Sequence, residues 1–393
     1  MEVKNKKRLL PLKILILLMS SVLLVFGAEF IVRKFYPQIT FINAKTLTFD
    51  CFAKDNLLPF SLAKNHKCTM MYYLGDFNTK ASLNSLGYRG NEFSIEKKPG
   101  VKRILILGDS ITFGHGVADR FTYPFQTEEL LHKEGFTNTE VINAGYASGF
   151  SPDSYYLYLK ERGFKLEPDI VLVGLFVLND INDFSETVWD KVDSEGLPLK
   201  ISSCCKTVDW KIIRNKHFSV KYRYPYLRDS HLFILLIDLL QIKLGWFADP
   251  SYLLTKGEQR HGCVLQPSCS HLFYPEETKL KKTLTAIKKI TDRNNTKMAL
   301  VMIPGDMQLY PESFAKYNSP YRAEAGNENF IQKHLAEFFE NEGIPFIDLY
   351  PVLDRDRGRG YPYFVNDAHL NNLGNRITAE AIVSFLKEGK YLE

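Results

Sequence analysis

The residues most able to do chemistry begin at Asp109-Ser110, at the end of Arg103-Ile-Leu-Ile-Leu-Gly-Asp-Ser-Ile-Thr-Phe-Gly114. A hydroxyl is a weak nucleophile until a base takes its proton. The run Ile104–Leu107 closed by Gly108 reads as a buried central strand entering a tight turn, with Gly108 letting the chain turn sharply. Ser110 then stands at a strand's C-terminal end, where open α/β sheets place ligands. It also opens a helical turn, whose free N–H groups favour developing negative charge. Alone, Gly-Asp-Ser is equally a turn with a helix cap. Three further stretches follow downstream in fixed order: Asn143-Ala-Gly-Tyr-Ala-Ser-Gly-Phe-Ser-Pro152, Leu178-Asn-Asp-Ile181 and Asn366-Asp-Ala-His-Leu-Asn-Asn-Leu-Gly374.

These stretches must be positioned by regular elements, and the pattern supplies them. Apolar runs at 141–142, 169–178, 298–303 and 345–349 predict further strands. Helices are expected over 122–132, from Ser151-Pro152 through Arg162, and over 276–293, 328–341 and 373–386. Strands separated by helices argue an α/β fold with a parallel sheet covered on both faces.

In this order, the four stretches resemble the four blocks of the SGNH hydrolases, also called the GDSL esterase/lipase superfamily, over roughly residues 100 to 386. The resemblance implies a flavodoxin-like three-layer fold with a central parallel sheet. It implies Ser110 as nucleophile, His369 as base, and an oxyanion hole of the Ser110 N–H, the Gly149 N–H and the Asn179 side chain. Gly149 is preferred to Gly145 because Gly-Phe-Ser-Pro matches the family's "G-[YF]-S-P". The family usually places its Asp three residues before the His; here that position is Asn366, with Asp367 two before. Some polysaccharide acetyltransferase relatives use the two-residue spacing, so Asp367 is the expected orienting carboxylate. Asn84-Ser-Leu-Gly-Tyr-Arg-Gly90 resembles the "N-x-x-G-[FY]-R" stretch of membrane-anchored members, where it packs near the site; a plain turn between strands fits it as well.

At the N-terminus, Lys4, Lys6, Lys7 and Arg8 precede an apolar run from Leu9 to Phe26. The basic flank predicts a cytoplasmic N-terminus. The run is about long enough to span a bilayer, and an uncleaved signal anchor is favoured over a cleaved signal peptide. The expected organisation is an anchor over 1–35, a β-rich lead-in over 36–100, and the hydrolase domain over 101–393 with an insertion at 185–275. The insertion falls directly after the third block, so it should lie over the catalytic face. Within it, Asp229–Phe247 is an apolar helix candidate that either packs on the core or touches a lid or membrane surface.

The chain has 393 residues and a net charge of +5. Much of that excess sits in the N-terminal flank, and no basic stripe or phosphate-cradling Gly-Lys motif argues for nucleic-acid binding. Six cysteines lie outside all four blocks, which argues against a thiol nucleophile. An even count in an exported chain suggests disulfides; Cys51 with Cys68 and Cys263 with Cys269 are local candidates, and Cys204 and Cys205 complete the set. No cofactor or metal is implied. The expected enzyme is a serine esterase acting on acyl, chiefly O-acetyl, esters of a cell-envelope glycan or a small ester. The alternatives are a glycan O-acetyltransferase of the same fold and a non-catalytic binding protein.

Overall fold

The computed structural model describes residues 2–38, 40, 51–71, 76–146, 150–185, 187–203, 224–244, 264–268, 270–313 and 326–393. By backbone contacts the chain forms two units, Met1–Thr46 with Val208–Leu253, and Leu47–Thr207 with Leu254–Glu393.

In the larger unit, the short strands β1 (Phe52–Ala53) and β2 (Ser61–Leu62) pair antiparallel, as do β3 (His66–Met71) and β4 (Asn78–Leu83). Cys51 and Cys68 form the expected disulfide. Cys204, Cys205, Cys263 and Cys269 lie outside the described residues. The lead-in shares its apolar core with the rest of the unit: Leu58, Leu62, Met70 and Phe77 join the same buried cluster as the central sheet.

That sheet has five parallel strands: β5 (Lys102–Gly108), β6 (Thr139–Gly145), β7 (Ile170–Phe176), β10 (Lys297–Ile303) and β11 (Phe346–Asp348). Their order is β6-β5-β7-β10-β11, the flavodoxin-like order. All seven residues of β7 are buried, as a central parallel strand with both faces covered requires. Between them, β8 (Thr187–Val192) and β9 (Pro198–Ser203) form a hairpin.

The helices follow the apolar periodicity. The N-terminal helix α1 is Glu2–Phe35. A single turn, α2 (Ser110–Phe113), follows β5; then come α3 (Tyr123–Lys133), α4 (Pro152–Glu161), α5 (His231–Leu244) and α6 (Tyr274–Arg293). Among the described residues these are followed by α7 (Asp306–Leu309), α8 (Phe330–Asn341), α9 (Tyr350–Arg355) and α10 (Asn372–Glu388). In α6, Leu280, Leu284, Ile287 and Thr291 form the buried stripe, with Pro275, Glu276 and Glu277 in the first turn. Helix α3 packs on α10 and α4 on α6.

The insertion divides. Its hairpin belongs to the larger unit: Thr187 Oγ1 and Trp189 Nε1 both donate to the fully buried Asp153 at the start of α4, at 2.8 and 2.7 Å. Helix α5 belongs instead to the smaller unit with α1, and its buried Ile234 and Ile237 are not part of the main core.

The stretch 84–90 is more than a plain turn. Arg89 is almost wholly buried and donates to the carbonyls of Phe113, Gly114 and Val117, each at 2.6 Å, and to Asp119 at 2.9 Å. It thereby holds the C-terminal end of α2. Replacing Arg89 with Met removes the short charged donor from three carbonyls and from Asp119, which keeps only the Ser82 N–H at 3.2 Å. The expected loss is about 3 kcal/mol or more of unfolding free energy, measured by denaturant titration.

Candidate active site

Ser110 is the first residue of α2, and Asp109 is its N-cap, accepting the Ile111 N–H at 2.9 Å. The glycines beneath this turn are required for space. A Cβ on Gly108 would stand 1.9 Å from Thr112 Oγ1, and one on Gly145 would stand 2.3 Å from the Phe113 nitrogen. Gly108 and Gly145 are register partners on β5 and β6. Gly108 does not adopt positive φ, so the reason for glycine is close approach of α2 and not the turn conformation expected above.

His369 lies on the loop before α10. Its Nε2 is 2.8 Å from Ser110 Oγ, across 259 residues of sequence. Asn371 clamps the loop. Its Oδ1 caps α10 by accepting the Leu373 and Gly374 N–H groups, while its Nδ2 donates to Tyr361 and Tyr363 carbonyls. The backbone pairs again where Phe364 N donates to the His369 carbonyl at 3.0 Å.

Asp367 Oδ1 accepts both the backbone N–H of His369, at 2.8 Å, and His369 Nδ1. This is a side chain hooking the backbone two residues on, the local habit of Asp in turns. It explains how a two-residue spacing brings the carboxylate to the imidazole. Asn366 goes elsewhere: its N and Nδ2 donate to Asp76, at 2.6 and 2.8 Å. Asp76 was not legible as a partner, because nothing in its own neighbourhood of the sequence points 290 residues ahead.

Asn179 lies in the turn three residues beyond the C-terminal end of β7. Its Nδ2 donates to Asp109 Oδ2 at 3.1 Å and to Asp183 Oδ2 at 3.2 Å, and its Oδ1 is buried without a partner among the described residues. Gly149 lies outside the described residues. Gly145 does not face outward as a donor: its N–H is taken by Asn143 Oδ1 at 2.9 Å.

Burial and charge set the protonation. Burial works against the His369 imidazolium, but the Asp367 charge and hydrogen bond, with Asp109, outweigh it and raise its pKa above 6.5. Burial would raise Asp367; the facing His369 overcomes it and holds the carboxyl at about 2. Asp109 is raised by burial. A second histidine, His115, packs its ring 4.7 Å from that of His369, with Phe77 edge-on at 5.2 Å. Burial, then the neighbouring His369, lower His115 to about 3, so it stays neutral. Sequence reading passed over His115, although it follows the first block by only one residue. A cavity of about 580 Å³ beside this aromatic group is lined in part by Asp76, Phe77, Gly116, Phe121 and Phe364.

Chemically, this is a hydroxyl in line with an imidazole that is itself in line with a carboxylate. Such a line can pass a proton from the hydroxyl to the imidazole and stabilise the resulting cation.

Comparison with known proteins finds likeness over parts of the chain. Residues 270–393 match the family described as "SGNH hydrolase-like domain, acetyltransferase AlgX". A probable alginate O-acetylase AlgJ of Azotobacter vinelandii is 26% identical over 144 residues, which cover 33% of this chain and 35% of that protein. Among solved structures, the acetyl xylan esterase AlAXEase aligns with TM-score 0.40 and 16% identity, covering 72% of this chain and 99% of that one. A lipase/acylhydrolase from Enterococcus faecalis aligns with TM-score 0.39 and 13% identity, covering 74% and 97%. The family match is thus confined to the last third of the chain, which carries α8, α9, α10, β10, β11 and His369.

Proposed function

We propose that the protein transfers O-acetyl groups through an acyl-enzyme on Ser110, with a cell-envelope glycan as the natural partner. The observation that carries this reading is the line Ser110–His369–Asp367. Ser110 Oγ attacks the acyl carbonyl carbon while His369 Nε2 takes its proton. Asp367 holds Nδ1 protonated and stabilises the imidazolium. Collapse of the tetrahedral intermediate breaks the ester bond, and His369 returns the proton to the departing alcohol. A second hydroxyl, activated by the same base, then takes the acetyl from Ser110.

For the oxyanion, the Ser110 N–H is the first donor: as the first residue of a helical turn it has no acceptor within the helix. The Gly149 N–H is the second donor in this reading. Asn179 is the third, and it must exchange one of its two carboxylate partners for the oxyanion. Those carboxylates keep the amide oriented before substrate arrives.

Either water or a sugar hydroxyl can serve as the second acceptor, since both use the same residues. The likeness of residues 270–393 to an acetyltransferase family favours a glycan hydroxyl, with esterase activity as the water-accepting limit. The apolar stretch Lys13–Phe35, with mean hydropathy 2.5, supports anchorage by α1, and the Cys51–Cys68 disulfide fits an oxidising compartment outside the cytoplasm.

With a chromogenic acetyl ester, turnover is expected to rise on adding a glycan acceptor and to yield acetylated glycan by mass spectrometry. Acceptor-independent release would reassign the enzyme as an esterase. Ser110→Ala should lower either activity by about ten-thousand-fold or more; retained turnover in a folded Ser110→Ala variant sinks the acyl-enzyme.

The pH dependence follows from His369. Only its neutral form accepts the proton, and its pKa is raised, so the acid limb of kcat/KM is expected above 6.5. Asp367→Asn removes the charge that raises it and leaves the lowering effect of burial. The limb should therefore move to lower pH while the plateau falls by roughly a hundredfold or more. Asn366→Ala should leave the limb in place and cost less, because its side chain is held by Asp76. A limb that shifts in Asn366→Ala and stays fixed in Asp367→Asn reverses the two roles.

A reporter fused to the C-terminus should be active only in a form that requires export; activity of a cytoplasm-only reporter contradicts the proposed topology.

A further inference from the structure

Helix α5 cannot be explained by the catalytic machinery. On its buried side lie His231, Ile234 and Ile237; on the other side Leu232 is half-buried, while Leu236 and Leu239 are 48% and 41% exposed. The spacing 232, 236, 239 is one helical stripe, and it is all leucine. A helix at a water-facing surface puts polar side chains on that stripe.

Its N-terminus is held by an acidic residue of α1. Glu29 accepts Ser230 Oγ and the Leu232 N–H, both at 2.8 Å, and the His231 N–H at 3.1 Å. Just beyond α1, the Gln38 N–H donates to His231 Nδ1 at 2.8 Å. Glu29 is thus an N-terminal cap supplied from another helix, satisfying donors that α5 cannot pair itself. Arg33, one turn further along α1, also donates to Glu29 at 3.1 Å, so the carboxylate is held from its own helix as well as by α5.

The attachment also sets a level along α1. From Lys13 to Gly27 every residue of α1 is exposed, whereas Ala28, Glu29 and Val32 are covered. Glu29 lies four residues before Arg33, where charge returns to α1, which is about 6 Å along the helix. Interfacial helices bury their apolar faces by a comparable depth, about 5–10 Å. Exposed aromatics mark the same end of both segments: Phe35 and Tyr36 close α1, and Tyr224 and Tyr226 lie in the turn that leads into α5. Tyr and Trp concentrate at the headgroup level of membranes, where an apolar ring and a polar tip are both satisfied.

We propose that α5, with the preceding turn Tyr224–Leu227, lies in the bilayer interface as a second membrane-binding element, positioned by the Glu29 cap. It rests on the reading of α1 as a membrane anchor. The partner is lipid, and the Leu232–Leu236–Leu239 stripe is the surface that enters it.

The test uses the full chain reconstituted in vesicles of phosphatidylcholine and phosphatidylglycerol in equal parts, with photoreactive benzoylphenylalanine replacing one residue at a time. Illumination should yield lipid adducts from Leu236→benzoylphenylalanine and from the α1 control Leu18→benzoylphenylalanine. Adducts at Leu18 without adducts at Leu236 overturn the proposal while leaving the anchor intact. Absence at Leu18 overturns the anchor and the proposal together. A crosslink from Leu236 to a second copy, or to the same chain, in place of lipid also overturns it. Adding Glu29→Ala should remove most of the Leu236 adduct and spare that at Leu18; an unchanged Leu236 adduct overturns the positioning role of Glu29.

Discussion

The candidate site depends on how closely one helical turn approaches two strand ends. Ser110 opens a single turn, too short to hold itself in place by its own hydrogen bonds. The turn is held because Gly108 and Gly145 allow it to lie directly on β5 and β6, with no Cβ between. From the far side, Arg89 gathers the carbonyls of Phe113, Gly114 and Val117. Close packing on the strands and the buried guanidinium fix the backbone from which Ser110 Oγ projects. That is what a hydroxyl needs if its partner is to find it at hydrogen-bond distance.

The partner is held by a different device. His369 sits in a loop, where side chains are ordinarily less constrained. Here the loop is tied by Asn371 at one end, through a cap and two carbonyl bonds, and by Asp76 through Asn366 at the other. Asp367 then uses one oxygen for both the backbone and the imidazole of His369. The same contact that fixes the ring also supplies the charge that raises its pKa, so geometry and electrostatics are not independent at this position. The neutral His115 beside it adds a ring contact without adding a competing cation.

The smaller unit obeys the opposite rule. The larger unit puts its apolar surface inward. In the smaller one, α1 and α5 carry apolar side chains outward, and their polar contacts, Glu29 and His231, are turned toward each other. An inverted pattern of this kind suits a solvent that is itself apolar.

The sequence by itself determined the parts governed by local pattern. The buried runs read as parallel strands became β5, β6, β7, β10 and β11, and the helices began and ended within a few residues of their caps, because periodicity and capping act over a few residues. It offered the pairing of Cys51 with Cys68, 17 residues apart, only as one local candidate among those that six cysteines allow. Tertiary structure decided what depends on distant partners. That Asn366 turns to Asp76 and leaves Asp367 for His369 is settled by a contact 290 residues away in the chain. The demand for glycine at 108 and 145 comes from a helix crossing over them and not from their own dihedral angles. The placement of α5 was decided in the same way. Its composition suits a buried core helix as well as a membrane surface, and only the carboxylate of Glu29, about two hundred residues earlier, assigns it to α1.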